Sequence, residues 1–594
     1  RYVGGEFNAV MKDKSKVDTR VAFCFPDTYE IGMSTLGMRI LYGVMNNIEG
    51  VWCERCFAPW GDMEQEMRNA NIPLYALESF DPIKDFDIIA FSIGYEMAFP
   101  AMVDMLDLAG VPLHASERTA LTPLVVAGGT AMYNCEPIAD FIDLALIGEG
   151  EEMDAELIEL HRQARREGWS KHEFLVCAAQ IPGVYVPSLY DVVYNDDGTV
   201  KSITANEGAP KVVLKRIMRD MDKAYYPTKT IVPSTEIVQD RVSLELFRGC
   251  IRGCRFCQAG YVYRPVRNRS EELLRGYAVE AVEDSGYQDM TLSSLSTSDY
   301  PHLVELCDDL EDFCAQRHVT LALPSLRADN FSMALMERLQ KGRKTGLTFA
   351  PEAGTQRLRD AINKNLTEED LLESCRRAFA GGYSAVKLYF MLGLPTETDE
   401  DVLGIADIAA HVMHAWRESA LNKTRGVRIT VSTSWFVPKP HTAFQWEPQI
   451  PIEEYERRVK LLREAMNTKS VTYNWHPSPT SFMEAVISCG DRRLGKVIET
   501  AWRKGETLSA WEDYFDLNRW MEAFEECGLD PHFYANRRRS EDEILPWSMI
   551  SCGVAPGYLK REHALSYEGV TTPDCRTHCN ACGANCLVGG KCDV

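Results

Sequence analysis

Three cysteines within eight residues constrain this chain more than any other feature. The stretch Arg248-Gly249-Cys250-Ile251-Arg252-Gly253-Cys254-Arg255-Phe256-Cys257-Gln258-Ala259-Gly260 spaces its thiols by three and then two residues. Three thiolates so spaced can grip three irons of a cubane from one loop and leave the fourth iron without a protein ligand. A structural zinc site is the plain alternative, but zinc takes four closed ligands and no fourth lies nearby in the sequence. Cys250, Cys254 and Cys257 are therefore expected to hold a [4Fe–4S] cluster. An apolar run from Val242 to Phe247 precedes them, so the loop should leave the end of a strand.

Much of the remaining 594-residue chain alternates short apolar runs with helical patterns. The first series has runs at 19–27, 51–58, 86–94, 122–129 and 143–151, with helical patterns at 33–46, 63–71, 97–109 and 150–166. Such alternation predicts parallel pairing and a doubly wound sheet, which binds ligands at the carboxyl ends of its strands. Those ends carry Ser92-Ile93-Gly94-Tyr95-Glu96, Gly128-Gly129-Thr130 and Gly148-Glu149-Gly150-Glu151. Small residues there let a large planar ligand approach the backbone. A hairpin is expected around Asn195-Asp196-Asp197-Gly198. A second series has strand candidates at 241–247, 289–295, 318–324, 345–350, 384–392 and 427–435, which suggests a partial barrel.

The expected fold class is α/β, in five parts. A Rossmann-like doubly wound domain spans 1–184, and a linker with a small β element spans 185–235. A partial (β/α)6 barrel follows over 236–450, then a mostly helical region over 451–564 and a Cys-rich tail over 565–594.

Charge and composition exclude some classes. Asp and Glu number 87 against 64 Lys and Arg, a net charge of -23, which argues against a broad nucleic-acid-binding surface but leaves room for a local basic funnel. Arg537-Arg538-Arg539 and Arg492-Arg493 read as solvated surface. No apolar run approaches the roughly 20 residues that span a bilayer, and no signal peptide is visible, so a cytoplasmic protein without a membrane partner is expected. The chain begins Arg1-Tyr2 without Met, so its native start is expected upstream. Of 19 Cys, eight crowd into two clusters, which reads as metal ligation rather than disulfide pairing.

The central motif, with the aromatic Phe256 before its third Cys, resembles the radical S-adenosylmethionine (SAM) superfamily. The resemblance implies that the open iron chelates the amino and carboxylate groups of SAM. An electron then cleaves the sulfonium bond and releases a 5′-deoxyadenosyl radical, with an external donor of flavodoxin or ferredoxin type. It also assigns later strand ends. Leu292 to Asp299, with Ser294 and Ser296, lies where the family contacts the methionine amino group, although Ser replaces the usual Gly-Gly-Glu. Pro324-Ser325-Leu326-Arg327 ends the third strand, with Arg327 placed to pair with the carboxylate. Glu352, in Ala350-Pro351-Glu352-Ala353-Gly354, would bind ribose hydroxyls or the ammonium group. Gly393-Leu394-Pro395-Thr396-Glu397-Thr398 matches the turn that packs near adenine.

A doubly wound domain ahead of such a barrel resembles the cobalamin-binding radical SAM subfamily, over most of residues 15–450. The cobalamin contacts implied are Ser92, Gly94, Tyr95, Gly128, Gly129, Thr130, Gly148, Glu149 and Gly150. The chain lacks Asp-x-His-x-x-Gly, the motif that supplies a lower His ligand to cobalt elsewhere; many radical SAM members lack it too. Tyr2 to Asn8, Phe25 to Met33 and Val437 to Trp446 look like an uncharacterised bacterial family of cobalamin-binding radical SAM proteins. The resemblance implies hydrogen abstraction from an unactivated carbon and methyl transfer from methylcobalamin. Open alternatives are cyclisation, ring contraction or oxidation without methyl transfer, methylthiolation or sulfur insertion on RNA or protein, and a non-catalytic metallocofactor scaffold.

The tail holds Cys575, Cys579, Cys582, Cys586 and Cys592, five thiols in eighteen residues, with His578 among them. Both a second iron–sulfur cluster and a structural zinc ion fit that density, and one thiol is in excess of four ligands. Cys489 and Cys552 read as small buried hydrophobes or as catalytic thiols. Trp435, Trp446, Trp475, His441 and His476 read as packing or as lining of a substrate channel.

Overall fold

A computed structural model describes every residue except 324–346, 425, 467, 591, 593 and 594. Ser325 and Arg327 therefore lie outside the described residues.

The first series of apolar runs becomes one sheet. Its strands are β1 (Thr19–Phe25), β2 (Val51–Phe57), β3 (Ile88–Ser92), β4 (Leu124–Gly128), β5 (Leu144–Leu146) and β6 (Val184–Tyr185). Strands covered by helices on both faces read as continuous apolar runs, and β4 and β5 are buried almost throughout. The order is β2-β1-β3-β4-β5-β6, parallel except for β6. The order reverses between β1 and β3, so the carboxyl ends of these two strands open a crevice. Asp27-Thr28 and Gly94-Tyr95 stand there. The Arg55 guanidinium, buried in β2, pairs with Glu6 at 2.8 Å and Glu78 at 2.7 Å and ties the N-terminal segment to the sheet.

The expected hairpin is β7 (Tyr190–Tyr194) with β8 (Val200–Ala205), closed by Asn195 N donating to Thr199 O at 2.8 Å. After β9 (Val213–Leu214) the barrel begins with β10 (Val242–Glu245). A two-stranded clasp, β11 (Phe247–Arg248) against β12 (Arg267–Asn268), follows. Then come β13 (Asp289–Ser293), β14 (Thr320–Ala322), β15 (Leu347–Glu352), β16 (Ala385–Leu392), β17 (Arg428–Trp435) and β18 (Val471–Trp475). The parallel orders are β10-β13-β14 and β15-β16-β17-β18. Among the described residues the barrel thus has seven strands rather than six. The extra one, β18, lies where helix was expected, because its half-exposed Val-Thr-Tyr-Asn-Trp carries no apolar run.

The C-terminal region is mainly helical, over Ser478–Ser488, Leu494–Arg503, Leu517–Cys527 and Pro556–Glu568. It folds back on the first sheet. Trp60 meets Trp511 and Tyr514 edge-on at 5.3 and 4.9 Å, and Trp511 Nε1 donates to Asp27 at 2.8 Å. A short parallel pair, β9 with β19 (Ile550–Ser551), stitches the linker to this region. No helix among the described residues is long and apolar enough to cross a membrane.

Gly354, just past β15, shows how tightly the barrel's outer layer is set. A Cβ there would meet Asp401 O at 2.1 Å and Ile405 N at 2.5 Å in the helix Asp399–Ser419. Neither backbone atom can swing aside. Gly354→Ala is expected to cost about 1–3 kcal/mol by overpacking. The check is the denaturant midpoint of the purified protein, and an unchanged midpoint would show that the turn yields.

Candidate active site

The Cys loop is an excursion whose neck is closed by the β11–β12 clasp, with Phe247 opposite Asn268 and Arg248 opposite Arg267. Gly249 (φ +92°) makes the closure possible, because a Cβ there would meet Pro265 O at 2.7 Å and Tyr263 O at 2.9 Å. Within the loop Cys257 N donates to Cys254 O at 3.2 Å, and Arg252 N to Cys250 Sγ at 3.4 Å. Burial, aided by Cys254 and Cys250, pushes the Cys257 thiol up to about 12, and burial also raises Cys250. The three sulfurs therefore share one electrostatic neighbourhood, and ligation there must expel protons.

Buried cations hold this loop. Arg252 forks onto Asp299 at 2.9 and 2.6 Å. Arg255 reaches Glu562 at 3.2 Å, Ala361 O at 2.8 Å and Val570 O at 2.7 Å. Arg264 donates to Gly260 O and Arg252 O, both at 2.8 Å. Lys215, from the linker, donates to Val262 O at 2.7 Å and to Arg264 O, beyond the carbonyl end of the helix Gln258–Val262. Burial lowers its pKa to about 8. The arginines beside the thiols were a visible signal in the sequence; Lys215, more than thirty residues upstream, carried none.

The strand ends around the loop are strained. Glu352 (φ +70°), Thr396 (φ +66°) and His441 (φ +63°) are non-glycine residues in the left-handed region, after or at the ends of β15, β16 and β17. Such conformations collect at functional sites. Glu352 accepts from Lys364 at 3.1 Å, and the Lys364 charge reaches Cys257. Phe256, the residue before Cys257, packs against an apolar cluster that includes Ala353, Leu394 and Phe436 from the segments after β15, β16 and β17. The indole Nε1 of Trp435 is buried without a hydrogen-bond partner among the described residues. Ser294 Oγ lies 3.1 Å from Thr297 Oγ1. Ser296 donates to Asp299 at 2.6 Å, so its hydroxyl helps to fix the carboxylate that receives Arg252.

The first sheet turns its carboxyl ends toward the same place. Thr130 Oγ1 lies 3.0 Å from Tyr263 OH, and Tyr133 OH donates to Val262 O at 3.2 Å. Lys439, beyond β17, donates to Glu96 at 2.9 Å and to Ser488 at 2.8 Å, and pairs with Glu484 at 2.9 Å. Tyr95 OH also donates to Glu484, at 2.9 Å.

The residues expected around cobalamin divide into two groups. Gly94 faces open space, Gly128 meets only Leu146 at 3.8 Å or beyond, and Ser92 is paired in register with Gly128. Gly129 and Gly148 instead back onto protein, where a Cβ would meet Ile93 O at 2.4 Å and Arg216 O at 2.1 Å. Gly150 starts a helix against Leu41, and Glu149 pairs with Arg267 at 2.7 Å and Arg248 at 3.2 Å. The Gly-Glu-Gly-Glu turn thus clamps the first sheet to the neck of the Cys loop.

The model of the radical SAM superfamily matches residues 244–409, and that of the N-terminal part of radical SAM proteins matches residues 37–187. The chain is a radical SAM protein. An uncharacterized protein of Methanocaldococcus jannaschii is 28% identical over 521 residues, covering 86% of this radical SAM protein and 98% of the relative. Among solved structures, the radical SAM methyltransferase TsrM from Kitasatospora setae, with tryptophan and a SAM analogue bound, is 14% identical with a TM-score of 0.44, covering 71% of this chain and 73% of that one. The cobalamin-dependent SAM radical enzyme OxsB, with aqua-cobalamin and SAM bound, is 10% identical with a TM-score of 0.46, covering 92% and 79%.

His441 gives the interface a pH dependence. Burial pushes its imidazole down to about 4, and its Nε2 lies 2.9 Å from Tyr133 O. A carbonyl only accepts, so the neutral ring carries its proton on Nε2. The unfolded chain takes up a proton at this site near pH 6.5, the folded chain only near 4, so stability falls as pH drops between these values, by roughly 3 kcal/mol. His441→Gln should remove that increment from the pH profile of the denaturation midpoint. An acid profile matching wild type would dismiss the assignment.

Proposed function

We propose that this radical SAM enzyme uses Cys250, Cys254 and Cys257 as cluster ligands and binds cobalamin on its first sheet to methylate an unactivated carbon. The observation that carries the reading is the opposition of two sets of carboxyl ends. The first sheet meets the barrel through Thr130 with Tyr263, Tyr133 with Val262, and Glu96 with Lys439. A cofactor at the β1/β3 crevice, against Ser92, Gly94, Tyr95, Gly128 and Thr130, would therefore look onto the Cys loop.

When bound, the cluster and SAM supply a 5′-deoxyadenosyl radical, and cobalamin supplies a transferable methyl group. The chain's own residues prepare the site. The Arg252, Arg255 and Arg264 guanidiniums set the loop backbone, and hence the spacing of the thiols. Glu352, held by Lys364 on strained backbone, offers a carboxylate for ribose hydroxyls or the SAM ammonium group. Trp435 keeps a buried N–H donor with no partner among the described residues. An external one-electron donor of flavodoxin or ferredoxin type completes the system.

The test uses anaerobically reconstituted full-length protein. Wild type should cleave SAM to 5′-deoxyadenosine, and Cys250→Ala/Cys254→Ala/Cys257→Ala should lose this activity. Gly94→Phe fills the open space at the crevice and should abolish cobalamin retention in equilibrium dialysis while SAM cleavage persists. Undiminished retention by Gly94→Phe would move the cofactor elsewhere, and no uptake by wild type would retire it. Labelled methyl from SAM in a product would establish methyl transfer.

A further inference from the structure

The C-terminal tail docks on the Cys loop through polar contacts. Among the described residues its thiols form no group that could hold a metal ion. Cys575 N donates to Ile251 O at 3.2 Å, one residue from Cys250. Arg576 donates to Asp299 Oδ1 at 2.6 Å, the same oxygen that accepts from Arg252 at 2.6 Å. Arg252 also pairs with Asp574 at 3.4 Å. Asp574 in turn accepts from the backbone N–H groups of Arg576 and Thr577, both at 3.0 Å, and so sets the turn that presents Arg576. Arg252, Asp299, Arg576 and Asp574 thus close a ring of alternating charge between loop, barrel and tail.

A second set of contacts runs beside the ring. Asn363 donates to Gly253 O at 3.0 Å and accepts from Thr572 N at 2.8 Å. Asn365 donates to Thr572 O at 2.9 Å. Glu562 accepts both from Arg255, at 3.2 Å, and from the Thr572 hydroxyl, at 2.9 Å. Arg255 donates onward to Val570 O at 2.7 Å. Residues 251, 252, 253 and 255 are therefore each held by the tail or by a side chain that the tail also grips. The spacing of the three thiols depends on this stretch of backbone.

The ring does more than tether. The Asp299 side chain is 1% exposed, and the fork from Arg252 uses both of its oxygens, with Nε on Oδ2 at 2.9 Å. Ser296 donates to Oδ2 and Arg576 to Oδ1, so the plane of the carboxylate is set from both sides. A bidentate pair transmits orientation as well as charge, so the Arg252 guanidinium follows that plane. The backbone N–H of the same Arg252 donates to Cys250 Sγ at 3.4 Å. Hydrogen bonds to ligating sulfurs help to set the potential of an iron–sulfur cluster. Arg576 keeps 38% of its side chain in solvent, so its removal opens no cavity in the core.

We propose that Arg576 is a positioning residue of the radical site: through Asp299 it orients Arg252, and through Arg252 the N–H that meets Cys250. The tail is then the outer wall of the loop. The proposal rests on the loop reading above, and the experiment keeps the two apart.

Arg576→Ala and Arg576→Lys are compared with wild type as full-length protein. Hydrogen exchange over residues 250–257 is followed on metal-free protein. Arg576→Ala should exchange there roughly tenfold faster, as one charge-assisted hydrogen bond is lost, while exchange over β1 and β3 is unchanged. On anaerobically reconstituted protein the midpoint potential of the loop cluster should fall in Arg576→Ala, since a positive charge is lost and the N–H loosens. Arg576→Lys keeps the charge and one donor to Asp299, and should restore both readings. A potential shift in Arg576→Ala with loop exchange at the wild-type rate would overturn the proposal, because charge alone would then explain the shift. Wild-type exchange together with wild-type potential would overturn it as well. The Cys250→Ala/Cys254→Ala/Cys257→Ala variant should lose the electron paramagnetic resonance signal that responds to SAM. Persistence of that signal would sink the loop reading, and exchange on metal-free protein would still decide whether Arg576 orients the loop.

Discussion

The buried pairing of Arg252 with Asp299 is the joint on which the site turns. Asp299 lies beyond β13, Arg252 sits between the first two cysteines, and Arg576 brings in the tail from the far end of the chain. A carboxylate buried among these groups is made tolerable by partners that include two guanidiniums and the Ser296 hydroxyl; both guanidiniums lie far from it in sequence. Their effect holds the Asp299 carboxyl below the usual range despite its burial. Both cations meet on this one carboxylate, so loop, barrel and tail are coupled through one polar contact rather than through apolar area alone.

The second constraint is directional. Parallel sheets present their ligand-binding ends on one side. Here two such sides are pressed together, so whatever they bind is enclosed between them. The contact is built from polar groups chosen for reach: Lys439 lies between Glu96 and Glu484, while Glu149 is shared between Arg267 and Arg248. Burial alone would raise the Glu149 carboxyl, yet these guanidiniums hold it below the ordinary value. Such pairs contribute little net stability after desolvation but penalise a misplaced partner strongly. They suit an interface that must fix geometry more than it must add cohesion.

What was legible in the sequence follows from range. The runs at 19–27, 51–58, 86–94 and 122–129 became β1 to β4, because strands buried on both faces need continuous apolar residues wherever they fall. The three-cysteine spacing was legible because one loop supplies all three thiols. β18 was not, since an edge strand half open to solvent needs no apolar run. The roles of Gly148 and Glu149 were also hidden. A glycine before an acidic residue at a strand end suggests a cradle for a ligand, and only the fold shows that Arg216 backbone fills the cradle and that arginines from the loop's neck take the carboxylate. Lys215 belongs with these, since its meaning depends on carbonyls some fifty residues away.

Net charge illustrates the same limit in electrostatic form. The chain carries -23, and that total argues against a polyanion as partner. Yet Arg252, Arg255, Arg264 and Lys215 converge on one short loop, all buried. Charges in a low-dielectric interior act far more strongly on their neighbours than distant surface carboxylates screened by salt. At the thiols burial dominates, and the cations that reach them are near ones, Arg264 at Cys250 and Lys364 at Cys257, so the local field there is not legible from the total charge.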